Sequence, residues 1–98
     1  MQIDTLLDPT GAQVVVVSGE LDSSNAALLQ QRVASLPPHP AQRLIFDLTG
    51  LRFMDSAGIA VLIGATTRAS SVSLRSPSPI IRRVLKTMGL STVFSIEP

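Results

Sequence analysis

A chain of 98 residues has room for one modest hydrophobic core, because a domain of this length buries roughly two-thirds of the surface its unfolded form exposes. A formal net charge of +1 removes the phosphate-neutralising attraction that nucleic-acid binding relies on, and the lack of cysteine excludes disulfides, thiolate metal sites and thiol redox switching. Only Phe46, Phe53 and Phe94 are aromatic, so the core has to be built from Val, Leu, Ile and Ala, with no aromatic cage for a large ligand.

Ile3 to Leu7 predicts a short strand, and Asp8-Pro9-Thr10-Gly11 places Asp, Pro and Gly where a type I turn favours them, so a hairpin follows. Val14 to Val17 is a continuous β-branched run, the pattern of a central strand covered on both faces. Glu20-Leu21-Asp22-Ser23-Ser24 is expected to break that strand and to supply capping side chains for an amphipathic helix with Leu29, Val33 and Leu36 on its apolar face. Pro37-Pro38-His39-Pro40 is expected to end the helix, since proline cannot continue the hydrogen-bond ladder.

Arg43 to Leu48 reads as a buried strand closed by Thr49-Gly50. Ser56 to Ala69 has the length of a helix, with Ile59, Leu62, Ile63 and Thr66 on one side and Ala57, Ala60 and Gly64 on another. With so little charge it is expected to be covered nearly all round, its small residues allowing a backbone to approach. Val72 to Arg75 is a short strand. Ser78-Pro79 starts a helix and Gly89-Leu90 stops it, with Ile81, Val84, Leu85 and Met88 as the apolar stripe and Arg82, Arg83 and Lys86 as the wet face. Thr92 to Ile96 is the final strand. A hairpin followed by alternating helices and strands implies an α/β domain over residues 1–98, with a mainly parallel sheet and helices packed on it.

The longest apolar run, Ile59 to Ala65, is far below the ~20 residues a membrane span needs, and Met1-Gln2-Ile3-Asp4 lacks the basic-then-apolar pattern of an export signal. A cytoplasmic protein is expected, without membrane insertion and without direct contact to nucleic acid.

Catalysis has little to work with. The sole histidine, His39, lies in the proline-rich stretch, and Ser56 in Met54-Asp55-Ser56-Ala57-Gly58 lacks the flanking glycines of a nucleophile elbow. No glycine-rich phosphate loop, ligand-spaced histidine pair or carboxylate cluster is present, so no catalytic residue, metal or cofactor is assigned. What stands out is Asp55-Ser56 at a helix start, where either side chain could cap the first amides.

Phe46-Asp47-Leu48-Thr49-Gly50-Leu51 followed by Phe53-Met54-Asp55-Ser56-Ala57-Gly58-Ile59 resembles the phosphorylation-site segment of the STAS family, the anti-sigma factor antagonists. Gly19-Glu20-Leu21-Asp22 resembles the loop after that family's second strand, and Ser78 through Phe94 its last helix and strand, so the likeness covers nearly the whole chain. It implies a STAS (SpoIIAA-like) fold, with a mixed, mainly parallel sheet of four to five strands and helices mainly on one side.

It further implies a protein that is no enzyme itself. Unphosphorylated, it would bind an anti-sigma factor that is also a serine-protein kinase and so release a sigma factor. Phosphorylation at Ser56 would end the interaction, and a PP2C-type phosphatase would restore it. The partner surface implied comprises Asp22, Asp55, Ser56, Ala57 and Gly58. Asp22 could equally be a cap of the first helix, and Asp47 reads as a hydrogen-bonding residue at a strand end. Two alternatives stay open: a STAS subunit regulating a transporter ATPase, its serine unmodified, and regulatory nucleotide binding by the loops around Asp22 and Ser56.

Overall fold

The computed structural model describes residues 1–36 and 43–98. The element order is β1 (Gln2–Leu7), β2 (Gln13–Leu21), α1 (Ala26–Ala34), β3 (Arg43–Asp47), β4 (Leu51–Met54), α2 (Ser56–Ala65), β5 (Ser71–Arg75), α3 (Pro79–Thr87) and β6 (Ser95–Glu97). The expected helix stop at Pro37-Pro38-His39-Pro40, His39 included, lies outside the described residues.

β1 and β2 form the expected antiparallel hairpin, from Gln2 opposite Ser18 to Leu7 opposite Gln13. The turn closes through the Gly11 amide donating to the Asp8 carbonyl at 2.9 Å, with Gly11 at φ +90°, a conformation that suits glycine. All other pairings are parallel, in the order β1-β2-β3-β5-β6, with β4 also on β2. The sheet is therefore mixed and mainly parallel, with six strands where four to five were expected.

The additional strand is β4. Thr49-Gly50 closes β3 in a turn as expected, but the chain then runs on in the same direction along β2, pairing Gly19 with Leu51 and Leu21 with Met54. Asp47 holds the bend, its carboxylate accepting from the Thr49 amide at 3.0 Å and the Thr49 hydroxyl at 2.6 Å. Gly50 is required there, because a Cβ would lie 2.9 Å from the Ser18 Cβ. This second partner also explains why β2 is not broken at Glu20 but continues to Leu21, with a register shift at Gly19/Glu20.

Alternation along the strands separates two faces. Val15 and Val17 of β2, Leu44 and Phe46 of β3, and Val72 and Leu74 of β5 join Leu29 and Val33 of α1, Ile59 and Leu62 of α2, and Ile81 and Leu85 of α3 in the main core. Each fully buried Leu or Ile there contributes about 1.5–3 kcal/mol relative to exposure. All three helices thus share one face. On the other, Val14 and Ile45 are buried with Ala12. The hairpin turn is tied down beside them, the Arg43 guanidinium donating to the Thr10 hydroxyl at 2.7 Å and Arg75 lying 3.9 Å from the Asp8 carboxylate.

Three helix and strand ends differ from expectation. α2 stops at Ala65, where the Thr66 and Thr67 hydroxyls bond back to the Ile63 and Gly64 carbonyls at 2.6 and 2.8 Å. It is not covered all round, since Ala60, Ile63 and Gly64 are exposed. α3 begins on the Ser78 side chain as expected but ends at Thr87, leaving Met88 outside the apolar stripe and exposed. Gly89, at φ +71°, turns the chain, and the Leu90 amide reaches back to the Leu85 carbonyl at 2.8 Å. The Leu90 carbonyl then accepts from the Val93 amide at 3.0 Å, so Thr92 to Phe94 form a turn, and β6 begins only at Ser95. Arg82 is not merely solvated, because its guanidinium donates to the Pro77 carbonyl at 3.2 Å.

Candidate functional site

The parallel strands β2 and β4 end side by side at Leu21 and Met54, so the residues that follow, Asp22 and Asp55, emerge at the same rim of the sheet. The carboxyl ends of parallel strands are where open α/β sheets commonly present binding residues. A direct bond fixes the pair of strand ends: the Asp55 amide donates to the Leu21 carbonyl at 3.2 Å.

Asp55 is the N-cap of α2. Its backbone is extended, at φ −104° and ψ −171°, and its carboxylate accepts from the Ala57 amide at 2.9 Å and the Gly58 amide at 3.3 Å. These bonds satisfy helix-start donors that would otherwise lack partners. Of the two candidate caps read from the sequence, Asp55 takes the role. Ser56 occupies the first helical position and is exposed, and Ala57 and Asp55 are half-buried.

Gly58 is buried. A Cβ on it would lie 2.7 Å from the Leu21 Cγ and 2.8 Å from the Met54 Cγ, so the missing side chain is what lets α2 rest on the ends of β2 and β4. Its effect on any partner surface runs through the placement of Ser56 and not through contact.

Asp22 does not cap α1 with its side chain. Its carboxylate accepts from the Ser24 amide at 2.9 Å and the Ser24 hydroxyl at 2.5 Å, forming a tight turn before the helix. The first amides of the helix region go instead to the Asp22 carbonyl, from Asn25 at 3.1 Å and Ala26 at 2.8 Å. The Ser24 hydroxyl, then the Ser24 amide, hold the Asp22 carboxyl below its ordinary value of 3.8. Asn25 was not singled out in the sequence, yet it locks this turn: its side-chain oxygen accepts from the Asp22 amide at 3.0 Å and its side-chain nitrogen donates to the Glu20 carbonyl at 2.9 Å. The signal was present in Asn25 directly preceding an apolar helical repeat.

Three of the small residues of α2 face an open groove. Ala57, Ala60 and Gly64 of α2 line it together with Ala27 and Gln30 of α1. Among the described residues no group of three His, Cys, Asp or Glu side chains could hold a metal ion, and no helix is long and apolar enough to cross a membrane.

Comparison with known proteins places this geometry. The family model described as "Mlab, STAS domain" matches residues 6–96. The anti-sigma-F factor antagonist RsfB of Mycobacterium tuberculosis is 27% identical over 96 residues, spanning 94% of this chain and 78% of that protein. A crystal structure of an anti-sigma factor antagonist from Mycobacterium paratuberculosis superposes with a TM-score of 0.81 at 30% identity, over 99% of this chain and 86% of the other. The Bacillus cell fate determinant SpoIIAA in its phosphorylated form shares the fold, with a TM-score of 0.71 at 20% identity over 99% of this chain and 92% of the other. The chain belongs to the STAS domain family, in company with the anti-sigma factor antagonists.

Proposed function

We propose that this protein is an anti-sigma factor antagonist. Unphosphorylated, it binds an anti-sigma factor that is also a serine kinase, and transfer of the ATP γ-phosphoryl group to the Ser56 hydroxyl ends that binding. A PP2C-type phosphatase reverses the modification. The protein itself performs no reaction; Asp22, Asp55, Ser56 and Ala57 belong to the docking surface, and Gly58 sets its height.

The observation that carries this reading is the exposure of Ser56 at the first position of α2, beside an Asp55 that already occupies the helix amides. A phosphate adds about −1.5 to −2 charge, and near a helix N-terminus it gains about 0.3–1 kcal/mol from the dipole. Because Asp55 holds the Ala57 and Gly58 amides, the phosphate has no cap to displace and stays at the surface. In a docked interface the same charge meets desolvation and like charges, and each 1.4 kcal/mol lost weakens binding about tenfold. The interface is thus far more sensitive than the fold. Antagonism of anti-sigma factors in the relatives' names, and a phosphorylated SpoIIAA with this fold, support the same reading.

Intact mass after incubation with the partner kinase and ATP tests it: one phosphate is expected on the wild type and none on Ser56→Ala. Equal phosphorylation of Ser56→Ala would overturn the assignment of the acceptor. A second reading keeps the fold and drops the modification, making the chain a STAS subunit that regulates a transporter ATPase. The matching family description names Mlab and not antagonism, so the fold alone does not separate the two. Affinity capture does, by returning a kinase in one case and an ABC ATPase in the other.

A further inference from the structure

We propose that the free edge of β1 is a self-association surface, on which two copies of this chain pair their β1 strands antiparallel about a two-fold axis at Thr5.

β1 is the edge of the sheet on the flank of β2 opposite β3. Edge strands present a row of unpaired backbone donors and acceptors, and proteins normally blunt them with proline, lysine, bulges or short length. The opposite edge is blunted by length, since β6 has only three residues. β1 has no proline, lysine or bulge, and its one charged residue is Asp4. It runs six residues, Gln-Ile-Asp-Thr-Leu-Leu, in unbroken register with β2.

The hairpin shows which residues face outward. The Asp8 amide donates to the Ala12 carbonyl at 2.8 Å and the Asp8 carbonyl accepts from Gly11, so both backbone groups of Asp8 face inward. Backbone groups alternate in direction along a strand, so Leu6 and Asp4 also bond toward β2. Ile3, Thr5 and Leu7 therefore direct their N–H and C=O groups away from the sheet.

A two-fold axis at Thr5 places Ile3 opposite the second copy's Leu7, Thr5 opposite its counterpart, and Leu7 opposite Ile3. All three outward-facing residues then exchange both backbone bonds. Shifting the axis to Asp4 loses one of these pairs and sets the two Asp4 carboxylates directly opposite each other, an unfavourable arrangement. Shifting it to Leu6 sets Ile3 opposite Pro9, which has no N–H to donate. Thr5 is the register that maximises backbone bonding and avoids opposed charge.

Side chains fit the same register. Leu7 is 65% and Leu28 56% exposed. A depression beside β1 on the helix face is lined by Met1, Ile3, Leu28, Gln31, Arg32 and Ser35. Leu7 of the second copy, opposite Ile3 and on the same face, is carried to that depression, and the symmetry repeats the contact. One surface thus supplies both the projecting leucine and the recess, which identifies the occupant as a second copy. One strand and one helix flank make a small contact, below about 1,200 Å², of the transient class. Pairing of this class is expected to show only at high protein concentration.

Sedimentation velocity of the 98-residue chain, from roughly 10 μM to 1 mM, should show its mass move from one copy toward two. Thr5→Pro removes an outward amide at a position where an edge strand accepts proline, and should weaken pairing at least tenfold with an unchanged circular dichroism spectrum. Leu7→Lys should have the same effect through the side chain. Because the chain has no cysteine, Thr5→Cys carries a single thiol. Hydrogen-bonded antiparallel neighbours lie about 5.5 Å apart between Cα atoms, within the disulfide range of about 4.4–6.8 Å, so mild oxidation should link two copies. Ile80→Cys, on a 69% exposed residue of α3, is the control and should link far more slowly. A wild type that stays monomeric at 1 mM, or equal cross-linking of the two cysteine variants, would overturn self-pairing and leave the edge to a strand of another protein.

Discussion

The Asp55 amide donates to the Leu21 carbonyl at 3.2 Å, so the last residue of β2 and the residue that caps α2 are joined by the main chain itself. The bond couples the core to the exposed Ser56. Leu21 is fully buried, Asp55 follows β4, and Gly58 closes the unit by resting on Leu21 and Met54.

Two glycines of α2 should respond to alanine with opposite signs. Either replacement gains up to about 1 kcal/mol of helix propensity. At Gly58 the new methyl lies 2.7–2.8 Å from the branched carbon of Leu21 and its neighbours, and relieving such overlap costs about 1–3 kcal/mol. At Gly64 nothing lies within 4 Å. Urea midpoints should fall for Gly58→Ala, by about 1 kcal/mol net, and rise for Gly64→Ala; a rise in both would show that α2 does not bear on the strand ends.

Asp55→Ala removes the carboxylate that serves the Ala57 and Gly58 amides and should destabilise by about 1 kcal/mol. Asp55→Asn, which caps about as well, should keep nearly all of the stability. Equal losses in the two variants would mean that the charge and not the hydrogen bonds matters, a distinction read directly from chemical denaturation.

The Asp22 turn should depend on pH with a definite sign. Ser24 hydrogen bonds lower the folded-state pKa from 3.8, so the stabilisation is present above that value and is lost as pH falls through the lower folded value. In an NMR titration the Asp22 carboxyl should show a midpoint under 3.8, and Ser24→Ala should move it upward. An unchanged midpoint in that variant would remove Ser24 as the cause.

Ser56→Asp places a carboxylate in the first turn of a helix, where the dipole is favourable by about 0.3–1 kcal/mol. Its thermal and urea transitions should match or slightly exceed those of the wild type, while calorimetric affinity for the anti-sigma partner drops at least tenfold. Loss of stability equal to the loss of binding would argue that the charge acts by unfolding α2.

Much of the architecture was legible because local chemistry and tertiary context agree. Asp8-Pro9-Thr10-Gly11 turns the hairpin, Ser78-Pro79 and Gly89 bound α3 to within a residue or two, and Val14 to Val17 is buried or half-buried as a β-branched run implies. β4 was not legible: in Leu51-Arg52-Phe53-Met54 only the two ends are buried, which matches neither a strand nor a helix period. Only the existing edge of β2 makes it a strand. The capping at the site was half legible. Asp55 and Ser56 were equal candidates by residue type, and backbone direction after Met54 decides between them. Asp22 was open between a helix cap and a contact residue because its competing partner, Ser24, is only two residues away.

The hairpin turn, held by Arg43 of β3 and Arg75 of β5, governs where this small protein will accept engineering. A tag or insertion between Asp8 and Gly11 would open the Gly11–Asp8 closure and pull Thr10 and Asp8 away from these two arginines, loosening the turn from β3 and β5 as well as lengthening a loop. The linker after α2 is anchored as well, Arg68 donating to the Ala34 carbonyl at 3.0 Å and Ala69 packing against the main core, so an insertion there would loosen α1 from α2.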